Sequence, residues 1–336
     1  MNANHAPIHP LIDRYGRRIT YARISITDRC DFRCIYCMSE VMEFLPRAEI
    51  LTLEQIHAVC RAFVALGVEK IRVTGGEPLV RNGALELVKE IGRLPGLREL
   101  VLTTNGSQLE KTASQLKSAG VRRINVSLDS LRPGRFRQMT RIGDLGQVLR
   151  GIDAALAQHF EKVKINTVVL KNRNHDEVAD LVAFAVAKRM DISFIEEMRL
   201  GAVDGHNRTE DYYSSDEIKR DLERNFALLP SPETTGGPSR YWRVAGTKTR
   251  VGFISPHSHN FCGTCNRVRV TAEGRLLLCL GNEHSVDLKE LMRAHPGDQD
   301  KLMAAIVAAM DLKPERHHFD IKAQPVIFRH MNATGG

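Results

Sequence analysis

Short runs of β-branched residues alternate with amphipathic segments from about residue 20 to residue 197 of the chain. The runs predict strands, because Val, Ile and Thr favour an extended backbone, and apolar residues spaced three and four apart predict helices. Six strands are predicted, at 19–26, 70–74, 99–103, 123–128, 162–169 and 192–196. Five helices are predicted between them, at 53–66, 84–93, 108–118, 147–159 and 176–188. Thr52 and Gln55 have the spacing of a capping box at the start of the first helix.

A helix between successive strands predicts parallel pairing, because such crossovers return the chain in the same direction and are right-handed. The predicted fold class is therefore α/β, an incomplete, six-stranded parallel βα barrel of the TIM type. After Gly201 the pattern changes to a polar segment, a Pro/Gly/Ser-rich stretch at 230–239 and short strand-like pieces. We expect two regions: residues 1–200 as the partial barrel, and residues 201–336 as an α+β layer that covers its open side.

Composition and charge narrow the expected location and ligand. Of 336 residues, 43% are hydrophobic and 26% are charged, as in ordinary globular proteins. We expect a cytoplasmic protein without a membrane span, because no apolar run reaches about 20 residues and the start lacks the pattern of a secretory signal. The formal net charge is +8, but the Lys and Arg residues are scattered and only 6% of residues are aromatic. A small polyanion is therefore a better expectation than a nucleic acid.

Six of the seven cysteines fall into two groups of three. The first group reads CxxxCxxC directly after the first predicted strand, and the second reads CxxC with a third cysteine 14 positions later; the groups are Cys30, Cys34 and Cys37, and Cys262, Cys265 and Cys279. Three thiolates can hold three irons of a [4Fe–4S] cube and leave the fourth iron open to a small molecule. Structural zinc sites close their shell with four ligands.

Zinc stays an alternative for the second group, because His257, His259 or His284 could supply a fourth ligand. The seventh cysteine, Cys60, lies in an amphipathic helical segment, where an ordinary core thiol is expected.

The first cysteine group resembles the signature of the radical S-adenosylmethionine (SAM) enzymes, with Tyr36 before the last cysteine and Gly75-Gly76-Glu77-Pro78 after the second strand. The resemblance implies that SAM chelates the open iron and that one electron cleaves it to methionine and a 5′-deoxyadenosyl radical. It also implies that the glycine-rich run binds the amino group of SAM. The SAM contacts implied in this way are Tyr36, Gly76, Ser127 and Met198.

The whole chain resembles the MoaA family, the GTP 3′,8-cyclases of molybdenum cofactor biosynthesis. The resemblance extends from GRRITYARISITDRCDFRC at 16–34, through CGTCNRVRVT at 262–271, to the terminal Gly335-Gly336. It implies a lyase with two [4Fe–4S] clusters, in which the second cluster binds the guanine of GTP. The radical then takes hydrogen from C3′ of the ribose, and C3′ attacks C8, giving (8S)-3′,8-cyclo-7,8-dihydroguanosine 5′-triphosphate.

The same resemblance assigns roles to individual residues. The implied GTP contacts are Arg23, Arg72, Thr103, Lys164, Arg267, Val268 and Arg269, and the implied catalytic residues are Arg23, Arg267, Arg269, Gly335 and Gly336. Arginine suits a triphosphate because its planar fork binds phosphate oxygens in pairs. The chain departs from the family pattern at Asp31, where Asn is usual, and at Ser193, where many relatives have Arg. Whether Arg199 replaces the missing charge stays open.

Two alternatives and several partners complete the expectations. One alternative is another radical SAM enzyme with an auxiliary cluster, such as a peptide-modifying maturase. The other is a zinc-stabilised, basic RNA-binding protein, which leaves the CxxxCxxC and GGEP pair without explanation. The expected partners are GTP as substrate, an external electron donor and the MoaC enzyme as functional neighbour. The residues leave open whether the chain forms a homodimer.

Overall fold

The computed structural model describes residues 10–201, 203, 205–317, 319 and 329–335. Within this part of the chain, twelve strands form one sheet in the order β12-β11-β10-β1-β2-β3-β4-β5-β6-β9-β8-β7. The strands are β1 Tyr21–Ser25, β2 Lys70–Thr74, β3 Glu99–Thr104, β4 Val121–Ser127, β5 Lys162–Val169, β6 Asp191–Glu196, β7 Leu228–Ser231, β8 Arg240–Val244, β9 Arg250–Ile254, β10 Arg267–Val270, β11 Arg275–Leu277 and β12 Ser285–Asp287.

Ten α-helices accompany the sheet in the described residues, and five of the six between the first six strands are the helices expected from the sequence. The helices are α1 Leu53–Ala65, α2 Ala84–Gly92, α3 Leu109–Ser118, α4 Pro133–Thr140, α5 Leu145–Ala157, α6 Val178–Ala187, α7 Ser215–Glu223, α8 Leu288–Ala294, α9 Gln299–Ala309 and α10 Met331–Thr334. None of the helices seen in these residues combines the length and the apolar character that crossing a bilayer requires.

The predicted α/β class is confirmed, and the sheet is wider than predicted, with twelve strands in the described residues instead of six. Strands β1 to β6 pair in parallel in chain order. The sheet does not stop there, because β10 pairs in parallel with β1 and β9 pairs in parallel with β6. Residues after 201 therefore extend both edges of the sheet. The sequence pattern missed this because these strands are short and no long crossover helix marks them.

Helix α1 shows how local sequence fixes an element. The hydroxyl of Thr52 accepts a hydrogen bond from the backbone N–H of Gln55 at 3.2 Å, and the side chain of Gln55 accepts one from the N–H of Thr52 at 2.9 Å. This confirms the predicted capping box, which satisfies two N–H groups at the helix start. The buried face of α1 includes Ile56, Phe63 and Cys60, so Cys60 is the core thiol that was expected.

Candidate active site

One cavity is lined by side chains from strands β1 to β6 and from β9 to β11, so the sheet curves around it. The predicted site residues in its wall are Arg23, Tyr36, Arg72, Thr103, Ser127, Lys164, Met198, Cys262, Cys265, Arg267, Val268, Arg269 and Cys279. Thirteen residues that lie far apart in the sequence thus meet in one place. Among the described residues, the first three cysteines, Gly76 and Gly335 are not in the wall; the cysteine loop reaches the cavity through Tyr36.

The first cysteine loop follows β1 and is surrounded by acidic side chains. Burial raises the pKa of Cys37 to about 12, and Asp129 adds to the rise, although the backbone N–H of Asn332 opposes it. Burial also raises the pKa of Cys34, and the charges of Asp129, Cys37 and Cys30 raise it further. The three sulfurs of the group therefore interact with one another. Three bare thiolates would be unfavourable here. The loop therefore fits a ligand with a positively charged iron core, which would offset the thiolate charges.

Tyr36 is held by a buried carboxylate at the cavity edge. Its hydroxyl donates to Asp129 Oδ2 at 2.7 Å, and Asp129 Oδ1 accepts from the backbone N–H of Val168 at 2.9 Å. Burial raises the pKa of Asp129 to about 6. The tyrosine ring is thus fixed between the cysteine loop and the ends of strands β4 and β5.

The glycines after β2 permit a close approach to the cysteine loop. A Cβ atom on Gly76 would lie 2.4 Å from the carbonyl oxygen of Arg29, and Gly75 has a φ of +153°. The N–H of Gly76 donates to the carbonyl of Thr27 at 2.8 Å. Glu77 is fully buried and accepts from the N–H of Asn105 at 2.6 Å. Only glycine fits at position 76, because backbone lies against backbone there.

The second cysteine group is part of the cavity wall and lies in a basic environment. Burial opposes ionisation of Cys265, but the charges of Arg267 and Lys313 outweigh it, so the pKa of Cys265 is lowered. Burial raises the pKa of Cys262 and of Cys279. A set of thiols with cations beside them fits a group held by thiolates.

The histidine nearest to these sulfurs is His317, which the sequence analysis missed. Its Nδ1 lies 2.9 Å from Cys262 Sγ, and its Nε2 lies 2.8 Å from the carbonyl oxygen of Pro256. Two of the histidines considered from sequence have other partners: His257 Nε2 lies 2.9 Å from the carbonyl of Glu197, and His259 Nε2 lies 2.9 Å from Asp216 Oδ1. The third, His284, is exposed. A spacing argument could not find His317, because it lies 55 positions from Cys262.

Within the residues that the structure describes, no three His, Cys, Asp or Glu side chains converge as ligands of a single metal ion. A zinc ion needs such convergence, because all of its ligands bind one atom. A [4Fe–4S] cube does not, because each thiolate binds a different iron.

Buried cations form the wall of the cavity along β1, β2 and β5. Arg72 Nη1 donates to Thr103 Oγ1 at 2.7 Å, and its Nε donates to the hydroxyl of Tyr21. Lys164 Nζ donates to Ser193 Oγ at 3.1 Å and to the hydroxyl of Tyr241 at 3.3 Å. These bonds hold the cationic groups in place before any ligand arrives.

The positive charges in this wall repel one another. Burial, and next the charge of Arg269, lowers the pKa of Arg23 well below its usual value, and burial lowers that of Arg269 to about 10. Burial would raise the pKa of Tyr21, but Arg72 and Arg23 outweigh it and lower the pKa to about 7. A polyanion bound in the cavity would relieve this repulsion.

Lys70 belongs to the same wall, although the sequence analysis did not select it. Burial lowers its pKa to about 8. Its Nζ donates to the carbonyl of Thr235 at 2.9 Å and pairs with Glu99 Oε2 at 2.9 Å. Thr235 lies in the Pro/Gly/Ser-rich stretch, so this stretch covers the cationic end of the cavity. The signal in the sequence was alternation, since Lys70 and Arg72 are two positions apart on β2.

The chain end approaches the cavity through a short helix. Arg269 Nη1 donates to the carbonyl oxygen of Gly335 at 2.6 Å, and the side chain of Asn332 donates to the carbonyl of Asp28 at 2.8 Å. A Cβ atom on Gly335 would lie 2.2 Å from Thr74 Cγ2. Gly335 thus lies between the end of β2 and β10, and Gly336 lies outside the described residues.

The two departures from the family pattern, and Arg199 as the candidate replacement for the missing charge, have local roles in the structure. Ser193 bonds to Lys164 and to Ser239, and brings no charge. Arg199 donates to Thr209 Oγ1. Asp31 accepts from Asn105 Nδ2 and from the hydroxyl of Ser107, both at 2.6 Å. The carboxylate of Asp31 therefore braces the cysteine loop against the loop after β3.

Two family models match the chain: the Radical SAM superfamily over residues 24–185 and Molybdenum Cofactor Synthesis C over residues 190–319. A GTP 3′,8-cyclase of Pseudomonas entomophila (strain L48) is 60% identical over 327 residues, which cover 97% of this chain and 98% of that protein. The chain belongs to the GTP 3′,8-cyclase family. A second member, from Pseudomonas fluorescens (strain Pf0-1), is also 60% identical with the same coverage.

Solved structures outside this family share the fold. Streptococcus suis SuiB bound to its precursor peptide SuiA aligns with a TM-score of 0.63 at 13% identity, over 95% of this chain and 77% of that chain. SuiB bound to S-adenosylmethionine aligns with a TM-score of 0.60 at 14% identity, over 83% of this chain and 66% of that chain. At these identities the likeness concerns the fold alone.

Proposed function

We propose that this chain is a GTP 3′,8-cyclase that converts GTP to (8S)-3′,8-cyclo-7,8-dihydroguanosine 5′-triphosphate with cleavage of SAM. The observation that carries the proposal is a single cavity in which buried cations face a group of three cysteines. The 60% identity to GTP 3′,8-cyclases over nearly the whole chain supports it. The same identity speaks against a peptide-modifying maturase, because the likeness to SuiB, which was solved with its precursor peptide SuiA, is limited to the fold.

The finer architecture is part of the proposal. Strands β1 to β6 would form an open, TIM-like partial barrel within residues 1–200, and residues 201–336 would close it and carry the second cluster. The shared cavity supports this arrangement, because strands from both regions contribute to its wall. In such folds the reactive groups gather at the carboxyl ends of the strands.

Two cysteine groups would hold the iron–sulfur clusters. Cys30, Cys34 and Cys37 would hold the first cluster, and Cys262, Cys265 and Cys279 the second. When bound, the first cluster with SAM supplies the electron and the radical, and the second supplies an open iron for the base of GTP. Tyr36, Ser127 and Met198, which line the cavity, would contact SAM, as would Gly76, which packs against the backbone of the cysteine loop at Arg29.

The protein's own residues would bind, orient and shield the substrate. Arg72 and Lys164 are already fixed by Thr103 and Tyr241, so they can hold a triphosphate with little loss of side-chain freedom. Arg267 and Arg269 lie on β10 beside the second cysteine group, where they would position the nucleotide near it. Arg269 also holds the carbonyl of Gly335, a contact that would bring the chain end to the nucleotide.

An anaerobic preparation tests the proposal directly. We expect about eight irons per chain, four for each cluster, and conversion of GTP in the presence of SAM and a reductant. A content of about four irons per chain would contradict the presence of a second cluster. Zinc without iron would contradict the proposed radical SAM reaction.

A cysteine variant tests the division of labour. Cys262→Ala should still release 5′-deoxyadenosine from SAM and should lose conversion of GTP. Cys60→Ala is the matched control, because Cys60 is a fully buried core thiol away from the cavity wall. It should keep both activities and the full iron content. Loss of SAM cleavage in Cys262→Ala would mean that the roles of the clusters are assigned wrongly.

We further propose an external electron donor and MoaC as the next enzyme for the product. Both rest on the family resemblance. Homodimer formation is a separate question for solution measurements. Product transfer is tested by adding the purified next enzyme, which should speed the disappearance of the cyclised nucleotide.

A further inference from the structure

Lys313 is a buried cation at the second cysteine group. It follows α9 after the short turn Met310–Leu312, and its side chain is only 1% exposed. Its Nζ donates to the carbonyl oxygens of Leu278 at 2.5 Å and Arg267 at 2.9 Å, and to Cys265 Sγ at 3.7 Å. The ammonium group thus connects the strand that carries Arg267 with the segment that leads into Cys279.

Among the described residues, the ion pairs do not give Lys313 a carboxylate partner. The contrast with Arg17 is clear: Arg17 also reaches this region through the carbonyl of Cys262, but it is paired with Asp13 at 2.6 Å. A buried cation is strongly unfavourable unless an anion or several acceptors compensate it. Two carbonyl oxygens compensate Lys313 in part, and the remaining candidate is the sulfur group itself.

We propose that Lys313 is the fixed counter-cation and positioning residue of the second sulfur group. Its charge matches a group held by three thiolates rather than three neutral thiols. Its Nζ lies 3.7 Å from Cys265 Sγ and 2.5 Å from the carbonyl oxygen of Leu278, the residue directly before Cys279. This inference rests on the proposed second cluster. It adds the residue that balances the negative charge of the cluster's thiolate ligands.

The physical consequence concerns an added electron. A cation held beside an iron–sulfur cluster stabilises its reduced form, because reduction adds negative charge. Removing the charge should therefore lower the reduction potential of the second cluster, weaken its assembly, or do both. A residue that only fills space would not have this effect.

Three substitutions separate charge from shape. Lys313→Met removes the charge and the donors, Lys313→Gln keeps a donor for the carbonyls of Leu278 and Arg267, and Lys313→Arg keeps the charge. Lys301→Met is the matched control, because Lys301 lies on α9 with an exposed side chain. The readouts are iron per chain and a redox titration followed by electron paramagnetic resonance. The signal of the second cluster is the one lost in Cys262→Ala.

We expect Lys313→Met and Lys313→Gln to lower the potential of the second cluster or to hold about four irons instead of eight, with the first cluster unchanged. Lys313→Arg and Lys301→Met should match the parent protein. An unchanged potential and iron content in Lys313→Met or Lys313→Gln would overturn the inference. Equal damage in Lys313→Arg, including failure of all three variants to fold, would also overturn it, because shape would then be the cause.

A folding measurement covers the case in which Lys313→Met is less stable. Lys313→Met loses its hydrogen bonds to the carbonyls of Leu278 and Arg267 whether or not the cluster is bound. The rise in melting temperature when the cluster assembles therefore isolates the effect of the charge. This gain should be smaller in Lys313→Met than in the parent protein, and an equal gain would count against the inference. If the parent protein itself held only four irons, the proposed function would fail before Lys313 was tested.

Discussion

Tyr241 makes the cationic wall sensitive to pH, and replacing it by Phe should show this. Burial would raise its pKa, but the charge of Lys164 and the hydrogen bonds with Thr235, Ser239 and Lys164 together lower the pKa to about 7. The hydroxyl lies 3.3 Å from Lys164 Nζ and 3.3 Å from Thr235 Oγ1. Above pH 7 the tyrosinate therefore shares the charge of Lys164, which is one of the proposed phosphate contacts.

The magnitude follows from linkage between proton binding and folding. A tyrosine in the unfolded chain has a pKa of about 10, so the folded protein releases this proton first. The stabilisation is present above the unfolded pKa and is lost as the pH falls through the folded pKa of about 7. Between pH 6 and pH 8 the parent protein should gain about 1 to 2 kcal/mol over Tyr241→Phe.

Two assays measure this effect. Absorbance at 295 nm should show two tyrosinates that form near pH 7 in the parent protein, those of Tyr21 and Tyr241, and only one in Tyr241→Phe. Urea unfolding at pH 6, 7 and 8 should show the difference in unfolding free energy growing with pH. GTP affinity should fall over the same range in the parent protein and depend less on pH in the variant, because the tyrosinate competes with phosphate for Lys164.

Tyr213→Phe is the matched control for Tyr241. Tyr213 is also buried, but burial and the nearby Asp221 raise its pKa to about 12. Its replacement should give no difference that varies between pH 6 and pH 8. If Tyr241→Phe behaved in the same way as Tyr213→Phe, the proposed coupling between Tyr241 and Lys164 would be refuted.

Four other changes test separate parts of the structure. Gly76→Ala should abolish SAM binding, measured by calorimetry, because its Cβ would lie 2.4 Å from the carbonyl of Arg29; normal binding would contradict the close packing. Thr52→Ala should cost about 1 kcal/mol of unfolding free energy by removing the cap of α1, and an unchanged urea midpoint would argue against the cap. Deleting residues 335–336 should leave the iron content intact and abolish GTP conversion, and full activity would refute a role of the chain end. Arg199→Ala should weaken GTP binding if this residue replaces the charge missing at Ser193, and unchanged affinity rules the replacement out.

The sequence predicted the parts of the fold whose signals are local. Strand β2 was predicted with its observed bounds, Lys70–Thr74, because it is a short β-branched run between two clear helices. Helix α4, Pro133–Thr140, was not predicted, because its polar and basic residues give little amphipathic contrast. Strand β9 was not predicted and β10 was recognised only as a strand-like piece, since their places in the sheet depend on long-range pairing with β6 and β1.

The candidate site shows the same division. Its cysteines and arginines stand in recognisable motifs, and Lys70 alternates with Arg72 on β2, whereas His317 and Lys313 carry no motif and become relevant only through contacts. Lys70 meets Thr235, which is 165 positions away, and His317 meets Cys262 from a segment after α9. No periodicity encodes such contacts, because they depend on how β7 to β12 join the first six strands.

The two cysteine groups also lie in opposite electrostatic surroundings, which their spacing alone could not reveal. Burial and then Glu77 disfavour the thiolate of Cys30, whereas Arg267 and Lys313 favour that of Cys265. A negative environment raises the free energy of an added electron and a positive one lowers it. Under the proposed function, the first cluster must give up an electron to SAM, while the second binds beside a polyanion. The charges around each group therefore favour SAM cleavage at the first cysteine group and nucleotide binding at the second, rather than the reverse.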